Sequence, residues 1–215
     1  MTECLVKSIN KHTSECYIFI FDNSDKEPFT YKQDNLTVFD NTQGQIINFE
    51  KILEQYPEHV LTASAMYKWG SFKHCISVDK CMELINDNFV LLDSDVLIKK
   101  DISPLFQEDK IFVGEIEKIS KYFEPRVCPY MCFINVQLCK KYNIHYYNDS
   151  IIGLKKPNKY TKSKDTGSYF YLISKIYEYQ EINIYEYIIH LEKGSHTKTE
   201  EEINKWLKLN QEFYN

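Results

Sequence analysis

The chain is 215 residues long, 43% hydrophobic and 27% charged, which suits one well-packed domain and excludes collagen-like or disordered compositions. Its net charge of −5, with no extended basic cluster, excludes a general nucleic-acid binder. No apolar run approaches the ~20 residues of a membrane span, so no transmembrane segment is expected. Seven cysteines without a CxxC pair read as reduced thiols of a cytoplasmic protein.

In chain order, the spacing of Leu5, Val6 and Ile9 predicts a short amphipathic helix over residues 2–11. The apolar run 16–21 predicts a buried strand that ends in a polar turn at Asp22, Asn23 and Ser24. Residues 36–39 repeat that arrangement and end at Asp40 and Asn41. Helices are predicted over 48–55 and 71–85, the second leading into a strand over 88–92 that stops at Asp93. Alternation of this kind marks an α/β domain with a mostly parallel, mixed sheet flanked by helices. In such sheets ligands bind beyond the carboxyl ends of the strands. Here three strands in succession end in acidic or amide-bearing turns.

The second half is less regular. Strands are predicted over 111–115, 130–136, 182–184 and 187–190, with a turn entering a helix over 165–177. Ser195 or Thr197 is placed to cap a final helix whose first turn is acidic and whose later part carries Lys205 and Lys208. No linker divides the chain. It opens directly on a helix, whereas a nucleotide-binding sheet usually begins with a strand. The first strand is therefore expected to lie elsewhere, or to be missing through truncation at the N-terminus.

Asp93 and Asp95 follow a hydrophobic strand two residues apart, so in extended backbone both carboxylates face one point. Two hard oxygen donors there suit Mg2+ or Mn2+, which keep open positions for phosphate oxygens. Alone, an Asp-x-Asp tripeptide also marks a solvated turn.

The segment from Phe89 to Leu105, which contains Asp93-Ser94-Asp95 and then Lys100-Asp101-Ile102, resembles the signature of glycosyltransferases with the GT-A fold. The resemblance implies a single GT-A, Rossmann-like domain, with a nucleotide-sugar-binding half over 1–95 and an acceptor-side half over 96–215. It implies a metal-dependent transferase that moves a sugar from a nucleoside-diphosphate donor, a UDP-sugar, to a glycan or other hydroxyl acceptor. Further segments agree in order. Gly70 to His74 resembles the helix start beside the donor diphosphate, with Ser71 either there or simply a helix cap, and His74 near the nucleotide or covering the helix face. Asp22 matches the acidic residue held against the nucleoside, with Asn23 beside it, and Ser94 joins the donor set. Tyr130 to Val136, with Asn135, resembles the acceptor-side strand. Asp165 matches an aspartate beside the transferred sugar, either as general base, as a sugar-hydroxyl acceptor or as a helix cap. Tyr187 to His196 resembles the closing motif, in which His190, with His196 in reserve, joins Asp93 and Asp95 on the metal and a loop at Gly194 covers the diphosphate. The alternative is a non-catalytic relative that binds a nucleotide-sugar or glycan. A phosphatase or nucleotidyltransferase would need a further acidic ligand or a phosphate-gripping Lys/Arg cluster near the strand ends, and Arg126 is the only arginine.

Overall fold

A computed structural model describes residues 1–24, 27–54, 63–118, 123–147, 165–191 and 198–215. The chain opens on α1 (Thr2–His12), whose Leu5, Val6 and Ile9 are buried as their spacing requires. Two strands, β1 (Ile18–Asp22) and β2 (Leu36–Asp40), pair in parallel from Ile18 against Leu36 to Asp22 against Asp40. The helices α2 (Phe49–Glu54) and α3 (Ala63–Ile85) lead to β3 (Phe89–Leu92) and β4 (Val96–Ile98). After them come β5 (Phe112–Glu117), β6 (Arg126–Ile134), α4 (Val136–Lys141) and α5 (Ser168–Ile173). The chain closes with β7 (Gln180–Glu181), β8 (Ile188–His190) and α6 (Glu200–Leu209).

The architecture is α/β, a mixed sheet flanked by helices. Four strands stand in the order β3-β6-β5-β7, while β1-β2 and β4-β8 form separate pairs. The expected predominance of parallel pairing needs correction. β6 runs antiparallel to both β3 and β5, and β4 antiparallel to β8, so among the described residues only β1-β2 and β5-β7 are parallel. The connection after Glu117 is too short for a helical crossover, and a short return forces an antiparallel neighbour.

Alternation along the strands divides the core. Cys132 and Ile134 of β6, with Phe112, Phe89 and Leu91, pack toward Cys75, Val78 and Met82 of α3. Met131 and Phe133, with Val113, Val90 and Leu92, pack toward Leu5, Val6 and Ile9 of α1. Ser8 fastens α1 to β4, since its fully buried Oγ donates to Leu5 O (2.7 Å) and accepts from Ile98 N (2.9 Å). Among the described residues, no helix is long and apolar enough to cross a membrane. All seven cysteines are free, four of them buried.

Several local boundaries differ from expectation. α3 begins at Ala63, so Ser71 lies within the helix and neither caps it nor offers a helix-terminal anion site. The run 63–70 contains no proline, and a lone Gly70 does not stop a helix that tertiary packing supports. Asn135 lies just past β6 and caps α4, its Oδ1 accepting from Leu138 N (3.0 Å), rather than lying within the strand. Residues 184–186 form a 3-10 turn instead of a strand end. Thr199 caps α6 in a reciprocal box with Glu202. The expected caps Ser195 and Thr197, the Gly194 loop, His196 and Gln55 lie outside the described residues.

Asp79 on α3 receives the chain after α4: its Oδ1 accepts from Tyr146 N (2.6 Å) and its Oδ2 from Tyr147 N (2.8 Å). Burial nonetheless pushes this carboxyl up to about 6. A group raised in the folded state contributes its full stability below the unfolded pKa of about 3.9 and loses it as pH rises through the folded value. From pH 4 to pH 7, the stability of wild type relative to Asp79→Asn is therefore expected to fall by on the order of 3 kcal/mol. Urea unfolding of both proteins across that range measures it; a constant difference contradicts the assignment.

Candidate active site

The site is assembled where β3, β6 and β8 end or begin. Asp93 leaves β3 with its backbone N donating to Tyr130 O (3.2 Å) on β6. A turn over Ser94 and Asp95 then separates the two carboxylates. Asp93 looks toward α3, its Oδ1 3.7 Å from His74 Nδ1, whereas Asp95 looks toward β8, its Oδ1 3.4 Å from His190 Nε2. The two carboxylates thus contact different histidines, and a turn stands between them where extended chain was expected. Burial raises the Asp93 pKa, with His74 opposing and Asp95 reinforcing the shift.

His190 arrives by register. β8 pairs with β4 so that Val96 faces His190, and Leu191 N donates to Asp95 O (3.0 Å). Its ring stacks on Tyr130 with centroids 3.9 Å apart and planes 17° apart. The buried Nε2 makes no hydrogen bond, although it lies beside the Asp95 carboxylate. Two donors bound to one ion at ~2.1 Å stand roughly 3.0–3.4 Å apart at right-angled or tetrahedral geometry. The separation of Asp95 and His190 fits that relation, and their donor types fit Mn2+ or Mg2+. Among the described residues, no three His, Cys, Asp or Glu side chains converge closely enough to hold a metal ion. The fit is thus for two protein donors, an arrangement in which such ions keep waters and ligand phosphates in the other positions.

Behind this end stands an ionic centre. Arg126, at the start of β6, donates through Nε to Glu117 (2.7 Å) and through Nη1 to Asp165 (3.0 Å), with its guanidinium 5.9 Å from the Tyr130 ring centre. Burial opposes its charge, but Glu117 and then Asp165 raise its pKa. Asp165 also accepts from Ser71 Oγ (2.5 Å) and Thr166 N (2.8 Å) and is only 4% exposed. Its approach to β6 depends on Gly167, whose φ is +80° and whose absent Cβ would lie 2.1 Å from Val127 O. Contacts thus run from Ser71 and Asp165 through Arg126 and Tyr130 to His190 and Asp95. Arg126 and Glu117 were not anticipated as site residues, and Tyr130 was placed only within the segment resembling the acceptor-side strand, with no role of its own. The available signal was a single arginine in a lysine-rich chain, since only a guanidinium fork holds two carboxylates through different nitrogens.

The other wall is the end of β1. Asp22 accepts from Ser24 N (3.0 Å) and Phe29 N (2.8 Å), which holds the following loop. Asn23 donates to Ser77 Oγ (2.7 Å) on α3 and accepts from Asn41 Nδ2 (2.8 Å), while Asn41 Oδ1 takes the amides of Ile46 and Ile47. Asn23, His74, Ser77, Asp93 and Ser94 all line one cleft of about 760 Å³. The structure thus gathers Asp93, Ser94, Asp95, His74 and His190 at one end and brings Asn23 across the cleft from them. Asp22 is turned to its own loop, Ser71 to Asp165, and Asp165 to the arginine. No family model matches the chain, and no curated protein matches it.

Proposed function

We propose that this chain is a metal-dependent glycosyltransferase of the GT-A kind, acting on a UDP-sugar and a hydroxyl acceptor. The observation that carries the reading is the pairing of Asp95 with the unbonded Nε2 of His190 at 3.4 Å, one turn from Asp93 at the mouth of the cleft. Asp95 and His190 hold a Mn2+ or Mg2+ ion, with Asp93 acting from the adjoining position. When bound, the ion neutralises charge developing on a departing nucleoside diphosphate. Tyr130 fixes the imidazole plane by stacking, while Asn23, His74 and Ser94 border the donor. Asp165 keeps Arg126 and Tyr130 in place; its carboxylate is already engaged by Arg126 and Ser71, which favours positioning over proton abstraction.

The test is calorimetric titration of UDP with and without Mn2+. Measurable affinity is expected only with the metal, and at least tenfold weaker in His190→Ala. Metal-independent binding, or none at all, contradicts the reading. The non-catalytic alternative draws support from the two-donor metal set, and turnover of UDP-sugars to free UDP separates the two.

A further inference from the structure

Side chains alternate in the same sense through both halves of the sheet. In β3, Phe89 and Leu91 face the α3 side while Val90 and Leu92 face the α1 side. In β1, Ile18 and Ile20 face the α1 side, and Phe21 packs with Phe72 and Ile76 of α3. The carboxyl ends also meet α3 together, Asn23 at Ser77 and Asp93 at His74. β1 and β3 therefore run in one direction, between the same two helices, as members of one sheet. Yet among the described residues β1 pairs only with β2, and β3 only with β6.

The cleft lies between those free edges. Its lining includes every residue of 16–21 and every residue of 87–94. A cleft above a sheet face would be lined by alternate residues, because successive side chains point to opposite faces. Consecutive lining on both sides means that it runs along the strand edges. Leu5, Val6 and Ile9 of α1 close one face, and Val78, Cys81 and Ile85 of α3 close the other.

We propose that the cleft is an acceptor slot for an extended strand of a partner polypeptide, about five residues long and aliphatic on both faces. Length follows from the edges, which are 5 and 4 residues long. Two facing edges present alternating N–H and C=O groups, which only a peptide backbone satisfies on both sides at once. Helices above and below require apolar side chains in both orientations, as in any strand at the centre of a parallel sheet. Glu15 and Asp87 stand at one mouth and Asp93 at the other, so flanking lysines or arginines complement the ends. The inference does not rest on the proposed transferase activity, but a strand in the slot shares the Asn23, His74 and Ser94 end of the cleft with the proposed donor and competes with it there.

The probe is a fluorescein-labelled seven-residue peptide of alternating valine and isoleucine with a lysine at each end, titrated into the full chain. Anisotropy is expected to show saturable binding, and hydrogen exchange to slow at least tenfold at edge amides within 18–22 and 89–92. The same peptide N-methylated at alternate residues keeps its side chains but loses the donors along one edge, and is expected to bind at least tenfold more weakly. Equal binding of the methylated peptide would make the cleft a plain apolar groove and overturn the proposal. So would absence of binding, protection confined to other strands, or a dimer of the chain whose edge amides are already protected and which excludes the peptide.

Discussion

Asp95→Ala is expected to lower Mn2+-dependent release of UDP from UDP-sugars by on the order of 10³-fold, about 4 kcal/mol in the barrier, with the fold retained. Asp95 is singled out over Asp93 by its surroundings. Asp95 is 8% exposed as a residue, and its Oδ1 lies 3.4 Å from His190 Nε2, a buried nitrogen without a hydrogen bond, against 3.7 Å between Asp93 and His74 Nδ1. Removing the carboxylate leaves one protein donor where two stood, so the ion loses both its position and the charge that holds it. Asp95→Asn keeps an oxygen donor without the negative charge and should fall between wild type and the alanine variant. Turnover assays across a panel of UDP-sugars, with far-UV circular dichroism to check folding, measure the effect. A loss smaller than tenfold, with Mn2+ affinity intact, would show that the ion is not held here.

Much of this site was legible in the sequence because strand ends are marked by polarity. Asp22, Asp40 and Asp93 each follow an apolar run, and each does terminate or follow a strand. His190 was likewise found at the end of β8, where an apolar run stops at a lone imidazole. What the pattern could not carry was anything set by long-range pairing. Whether two carboxylates share one focus depends on a turn at Ser94, and local spacing does not distinguish that turn from extended chain. The antiparallel placement of β6 depends on which strands it meets, not on its own residues. Ser71 was misplaced because a glycine before a serine looks like a helix start, while α3 passes through both. The role of Arg126 arises from Glu117 and Asp165, which lie 9 and 39 residues away along the chain.

Arg126→Leu is expected to cost 3–5 kcal/mol of stability, roughly the measured penalty for leaving a buried ionic partner uncompensated. Arg126 lies 2.7 Å from Glu117 and 3.0 Å from Asp165, and Asp165 is the more deeply buried of the two acids. Arg126→Lys should recover little, because one ammonium on a flexible stem cannot reproduce contacts made through Nε and Nη1 of a rigid fork. Pairing Arg126→Leu with Asp165→Asn removes the stranded charge and should restore about half of the loss; Ser71 can still donate to the amide oxygen. Guanidinium or urea unfolding of the two single variants and the double variant gives the coupling directly. If the two changes are additive, the guanidinium contributes through its packing on Tyr130 and not through the carboxylates. Strong coupling together with lost His190 stacking, read as weaker Mn2+ binding, would show that this ionic centre sets the geometry of the proposed metal site.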